Sequence, residues 1–175
     1  MDDWSPERVA DRMQIHEVLY RYCRAIDRIA VAQLEAEVFH SDALIDKTGS
    51  PVPLADWMAE VARRHPTVPR ASHMVTNPIV DFTGVDTAFV ESWCLASERH
   101  PHEGGATDRV FRVRYGDKFE RRDGRWKIAS RTFVMDHVIS MPLDPVLDPP
   151  AGQRLDGRRD ADDPIMRLRA GLPVR

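Results

Sequence analysis

The sequence lacks most of the features that would assign it to a class at once. It has two cysteines, Cys23 and Cys94, without C-x-x-C spacing, so neither a disulfide framework nor a zinc site is expected and both read as buried free thiols. No apolar run approaches membrane-spanning length, and the N-terminus, Met1-Asp2-Asp3-Trp4-Ser5-Pro6-Glu7, is acidic and carries no apolar core. A cytoplasmic protein with no membrane partner is therefore expected. Charge of one sign is missing too: 25 Lys and Arg stand against 28 Asp and Glu, a formal charge of −3, which gives no global attraction to nucleic acid or anionic lipid. A Walker sequence, a dinucleotide glycine fingerprint, a nucleophile elbow and internal repeats are all absent, and no metal or other cofactor is expected.

What is present is a soluble globular mixture, 42% hydrophobic and 30% charged over 175 residues. That length fits one domain, large enough to bury a core and leave room for a pocket. Ser5-Pro6-Glu7-Arg8 starts a helix, with serine as N-cap and proline in the first turn. Ile15, Val18, Leu19, Tyr22, Ile26 and Ile29 follow at three- and four-residue spacing and predict one long amphipathic helix. On it Asp27 falls at the flank of the apolar stripe. Phe39 to Asp46 reads as a brief strand before the Gly49-Ser50-Pro51 turn. Pro53 to His65 reads as a second helix with Trp57, Met58 and Val61 facing inward.

Long strand-like stretches then occupy His73 to Phe82, Thr87 to His100, Arg109 to Arg122 and Arg125 to about Val138, with Asp123-Gly124 as a hairpin signal. Helices first and long antiparallel strands afterwards predict an α+β fold, a curved and mostly antiparallel sheet around N-terminal helices. A single domain over residues 1–140 is expected, followed by a proline-rich, charged tail over 141–175 that is too polar to form a core alone. Two placements stay open for the tail: over the pocket mouth or a neighbouring subunit, or loose.

Strand alternation puts His73 on one face with Val75, Asn77, Ile79 and Asp81, and Arg131 on one face with Phe133, Met135 and His137. Trp126, Ile128 and Val134 take the face opposite Arg131. An arginine among large apolar side chains suits a pocket wall that holds an oxygen, and suits equally an ion pair with Asp117 or Asp136. Asn77, Phe133, Met135 and His137 are the candidate substrate contacts. His100-Pro101-His102-Glu103 precedes two glycines and reads as a solvated hairpin loop rather than a metal site.

Three segments, Arg21-Tyr22-Cys23-Arg24-Ala25-Ile26-Asp27, Ser72-His73-Met74-Val75-Thr76-Asn77 and the run from Arg114 to Ile128, together resemble the SnoaL-like branch of the nuclear transport factor 2-like superfamily. The resemblance covers residues 8 to 138 and implies a cone-shaped pocket between helices and sheet. It also implies dehydratase, dehydrohalogenase or isomerase chemistry with Asp27 and His73 as a general-base dyad and Tyr22 as a hydrogen-bond donor. A carboxylate beside a histidine fixes the ring tautomer and stabilises the imidazolium formed on proton abstraction.

By that reading the protein is a lyase acting without cofactor on a mid-sized, largely apolar substrate. Asp27, His73, Tyr22 and Arg131 are its catalytic candidates. Each has a structural alternative: a surface ion pair for Asp27, a hydrogen-bonded scaffold histidine for His73, core packing for Tyr22. The competing class is a binding module, such as the small structural subunit of an aromatic-ring dioxygenase. Exposed Phe89 and Trp93 on the sheet predict a homo-oligomer.

Overall fold

The computed structural model describes residues 3–143 and 153–174. Helix α1 (Pro6–Asp27) is capped by Ser5, whose hydroxyl accepts from the Arg8 amide at 3.3 Å. It stops two residues before the end of the expected stripe, because Ile29 takes a φ of 52° that no helix continues. A short helix α2 (Val31–Gln33) and a π-helical turn (Leu34–Val38) lead into strand β1 (Phe39–Asp46). The two-residue β2 (Val52–Pro53) precedes α3 (Leu54–Arg64), which tightens into a 3₁₀ turn (His65–Thr67). Four long strands follow: β3 (Arg70–Phe82), β4 (Thr87–His102), β5 (Gly105–Arg122) and β6 (Arg125–Pro142).

The strands form one open six-stranded sheet among the described residues, in the order β2-β1-β6-β5-β4-β3. Every pairing is antiparallel except β1 with β6. The β5–β6 hairpin turns at Asp123 and Gly124, whose φ values of 51° and 74° suit the right-handed twist of the strands they join. Helix α1 lays Ile15, Leu19, Tyr22 and Ile26 on the concave face against Val90, Cys94, Val113, Phe119 and Ile128, while α3 adds Leu54, Trp57 and Val61. One end of this core is sealed by Asp11, which accepts from Arg8, Arg121 and the Trp126 indole. The other end, where α1 and α3 finish, is hollow. No helix among the described residues is long and apolar enough to cross a membrane.

Simple alternation fails in two strands, and each failure moves expected residues. In β3 the register against β4 shifts between Thr76 and Ile79, with Asn77 at a φ of 51°. In β6 the register against β5 shifts at Ala129 and again at Asp136. An extra residue at a bulge reverses the face of everything beyond it. Arg131 thus turns inward with Trp126 and Ile128 instead of opposing them, and His137 parts from Met135 and faces out.

The C-terminal segment, where described, packs on the fold. Asp163 is buried, caps α4 (Pro164–Arg169) by accepting from the Ile165 amide, and pairs with Arg28 at 3.3 Å. Arg159 enters the gap between the ends of α1 and the 3₁₀ turn. It donates to the carbonyls of Ile26, Asp27, His65 and Val68 at 2.9 to 3.0 Å. These carbonyls lie at the ends of helical segments, and although Ile26 and His65 also accept from the Ile29 and Val68 amides, each has room for a further donor, which a five-donor guanidinium supplies. The tail residues 144–152 lie outside the described part.

Candidate active site

Asp27 is the last residue of α1, where the helix dipole disfavours an anion. Its carboxylate needs donors, and β3 provides two from one residue. The His73 amide reaches Oδ2 at 3.1 Å and His73 Nδ1 reaches Oδ1 at 2.7 Å. The two side chains are 14% and 10% exposed, so water competes little for the contact. Since a carboxylate only accepts, Nδ1 carries the proton of the neutral ring, and in that form Nε2 keeps its lone pair. Nε2 has no partner among the described residues and lies on the side of the hollow end.

That hollow is a cavity of about 370 Å³, within the usual range for small-molecule sites. Its walls are mostly apolar: Ile26, Trp57, Val61, Phe111, Val113 and Phe133. Tyr22 lies between cavity and core, edge-on to the His73 ring at 6.2 Å and stacked on Trp57 at 6.5 Å. Burial pushes its phenol well above the ordinary value, against the pull of Arg131, and so keeps the hydroxyl protonated. Tyr22 and Asp27 point to different sides of α1: Asp27 lies behind His73, while Tyr22 borders the cavity.

The structure separates the remaining expected residues. Phe133 and Met135 line the cavity. Asn77 and His137 are exposed and stand away from it, displaced by the two bulges described above. Arg131 is fully buried in a bidentate pair with Asp117, both bonds 2.7 Å, and its guanidinium lies 4.1 Å from the centres of both the Tyr22 and Tyr115 rings. It is not on the cavity wall; it fixes the ring of Tyr22, which is. Asp136 pairs with Arg114 instead, at 3.3 Å.

Two buried polar residues on the wall, Glu98 and His65, escaped the sequence reading. Glu98 is buried, accepts from Arg64 at 2.7 and 2.8 Å, and has His100 Nε2 at 3.2 Å. His65 Nδ1 is 3.0 Å from Arg159 Nη2. Burial pushes the His65 ring down to about 4, helped by the charges of Arg159 and Arg64 and opposed by Glu98. Both had a signal in the sequence. Glu98 continues the inward series Val90, Ser92, Cys94, Ala96, and His65 continues the α3 stripe Leu54, Trp57, Val61. Lys47 and Glu60, 3.2 Å apart, stand at the exposed rim. Among the described residues no three His, Cys, Asp or Glu side chains converge as metal ligands do.

A family model described as the SnoaL-like domain matches residues 7–132. No curated protein matches the chain. Solved structures do: a hexachlorocyclohexane dehydrochlorinase of type 2 is 22% identical with a TM-score of 0.67, over 83% of this chain and 97% of its own. A protein provisionally assigned as a scytalone dehydratase from Novosphingobium aromaticivorans is 20% identical with a TM-score of 0.67, over 83% and 96%. A cystatin-like protein of unknown function from Nostoc punctiforme is 20% identical with a TM-score of 0.59, over 79% and 96%. At such identities the likeness is one of fold.

Proposed function

Since this chain belongs to the SnoaL-like domain family, we propose that it is a cofactor-independent cytoplasmic lyase, with Asp27 and His73 as its base and an apolar aromatic or alicyclic hydroxylated compound as its substrate. The observation that carries this reading is the double contact of Asp27 with His73 at the edge of an apolar cavity. His73 Nε2 takes a proton from the carbon next to the one bearing the leaving group. The C–H electrons become the new double bond as the carbon–oxygen bond breaks, and the Asp27 carboxylate balances the imidazolium. The departing hydroxyl takes the proton back from the imidazolium and leaves as water; a halide leaves as the anion, and the imidazolium then gives its proton to solvent. Isomerisation and aldehyde-releasing carbon–carbon cleavage are variants on the same base. The dehydrochlorinase and dehydratase relatives support elimination among these.

The test is untargeted mass spectrometry of a library of hydroxylated aromatic, alicyclic and steroid-like compounds, incubated with wild type, Asp27→Asn and His73→Ala without added cofactor. Wild type should release water, hydrogen halide or an aldehyde from a library member, and each variant should stay folded while losing about 100- to 10,000-fold in rate. Undiminished turnover in either variant would end the dyad reading. The second reading, a ligand-binding or structural subunit, draws on the exposed outer sheet face, where Phe89 and Trp93 are 40% and 39% exposed. The same face supports a homo-oligomer in either case.

A further inference from the structure

The cavity holds two histidines whose partners behind them differ in kind. His73 leans on a carboxylate, which can only accept; His65 leans on a guanidinium, which can only donate. An acceptor behind Nδ1 puts the proton there and leaves a lone pair on Nε2. A donor behind Nδ1 takes the lone pair there and leaves the proton on Nε2. The two rings therefore hold opposite tautomers. Like His73 Nε2, His65 Nε2 has no partner among the described residues, and the ring lines the cavity.

We propose that His65 presents its Nε2–H to an oxygen of the bound ligand, as a neutral donor across the cavity from the His73 base, with Arg159 of the C-terminal segment as the positioning residue that fixes its tautomer. Arg159 suits that role because its other N–H groups are already committed to four carbonyls, so it cannot swing away from the ring. Arg159 and Arg64 add positive charge around the ring, which discourages a second proton, and Glu98 works against them. The preferred ligand is one with a phenolate-, enolate- or carbonyl-type oxygen beside an apolar body. A donor there strengthens as negative charge grows on that oxygen. For its part in turnover the proposal rests on the lyase reading; the contact itself does not.

Two measurements on the full chain test it. The first is a long-range proton–nitrogen correlation spectrum of protein labelled at histidine, with His65 assigned by its loss in His65→Gln. A neutral Nε2–H ring at pH 7.5 that becomes a tautomer mixture in Arg159→Gln is expected; an Nδ1–H ring in wild type overturns the proposal. The second is an absorbance titration with 4-nitrophenol at a pH where the phenol is ionised. His65→Ala should bind it about tenfold or more weakly than wild type, and His65→Gln, which keeps an N–H donor, should recover much of the loss. No binding by wild type, or equal binding by folded His65→Ala, overturns it. A protein that binds the phenolate through His65 yet converts nothing in the compound library removes the lyase reading and leaves the donor in place.

Discussion

Arg131 decides how a residue that looks catalytic can serve the site from outside it. Its guanidinium and the Asp117 carboxylate are both completely buried, and rings of Tyr22 and Tyr115 cover its faces. Burial pushes the Asp117 carboxyl up while Arg131 holds it down. Removing one charge would strand the other in a dry core, which typically costs about 3 to 5 kcal/mol. Arg131→Met should therefore lower unfolding free energy in urea by roughly that amount. The double variant Arg131→Met/Asp117→Leu should recover a large part of it, because no lone charge is left. Unchanged stability in the single variant, with turnover lost, would return Arg131 to the catalytic list. The sequence offered both roles for this arginine and had no means of choosing, since the choice depends on a bulge at Ala129.

At the scale of elements, periodicity located every long strand within a few residues but not the face each residue takes. Alternation describes β4 along its whole length, and there the inward series, including the unexpected Glu98, is regular. In β3 one extra residue reverses the pattern and in β6 two do, and no residue next to Asn77, Ala129 or Asp136 is a glycine that would have flagged it. The pairing of Asp27 with His73 was legible because His73 lies before the bulge in β3 and both residues fall in the segments that carry the resemblance; Asn77 lies in a bulge and His137 beyond one, so alternation misplaced them. Asn77 holds a φ of 51°, tolerable for asparagine and strained for a β-branched residue. Asn77→Val should destabilise by about 1 to 3 kcal/mol and Asn77→Gly by far less. Because Asn77 is off the cavity, ligand affinity should be unchanged in both, and calorimetry with a parallel titration checks the two statements together.

Across the whole molecule the sheet has a working inner face and an outer face on which Trp93 stacks under Arg114, with the guanidinium 5.6 Å from the ring centre. If the proposed homo-oligomer forms through this face, Trp93→Glu should shift sedimentation to the monomer. An oligomer that survives the charge uses another surface. The concave side depends on the C-terminal segment, a dependence that no local pattern in the sequence foretold, because Arg159 sits in a charged stretch without periodicity. His65 makes it measurable by acid. Its folded value of about 4 lies below the ordinary 6.5, so between those limits the unfolded chain binds more protons than the folded one. Stability must then fall as pH drops from about 6.5 toward 4 and gain no further loss from this group below that. Protonation would also turn the Nδ1 acceptor into a donor facing Arg159, so the same acidification should loosen the segment. Urea unfolding of wild type against His65→Gln at steps from pH 7.5 to 4 isolates this contribution from that of the carboxylates, which both proteins share. Wild type should lose stability relative to the variant over that window; parallel curves would mean that the imidazole titrates normally and that Arg159 does not hold it neutral.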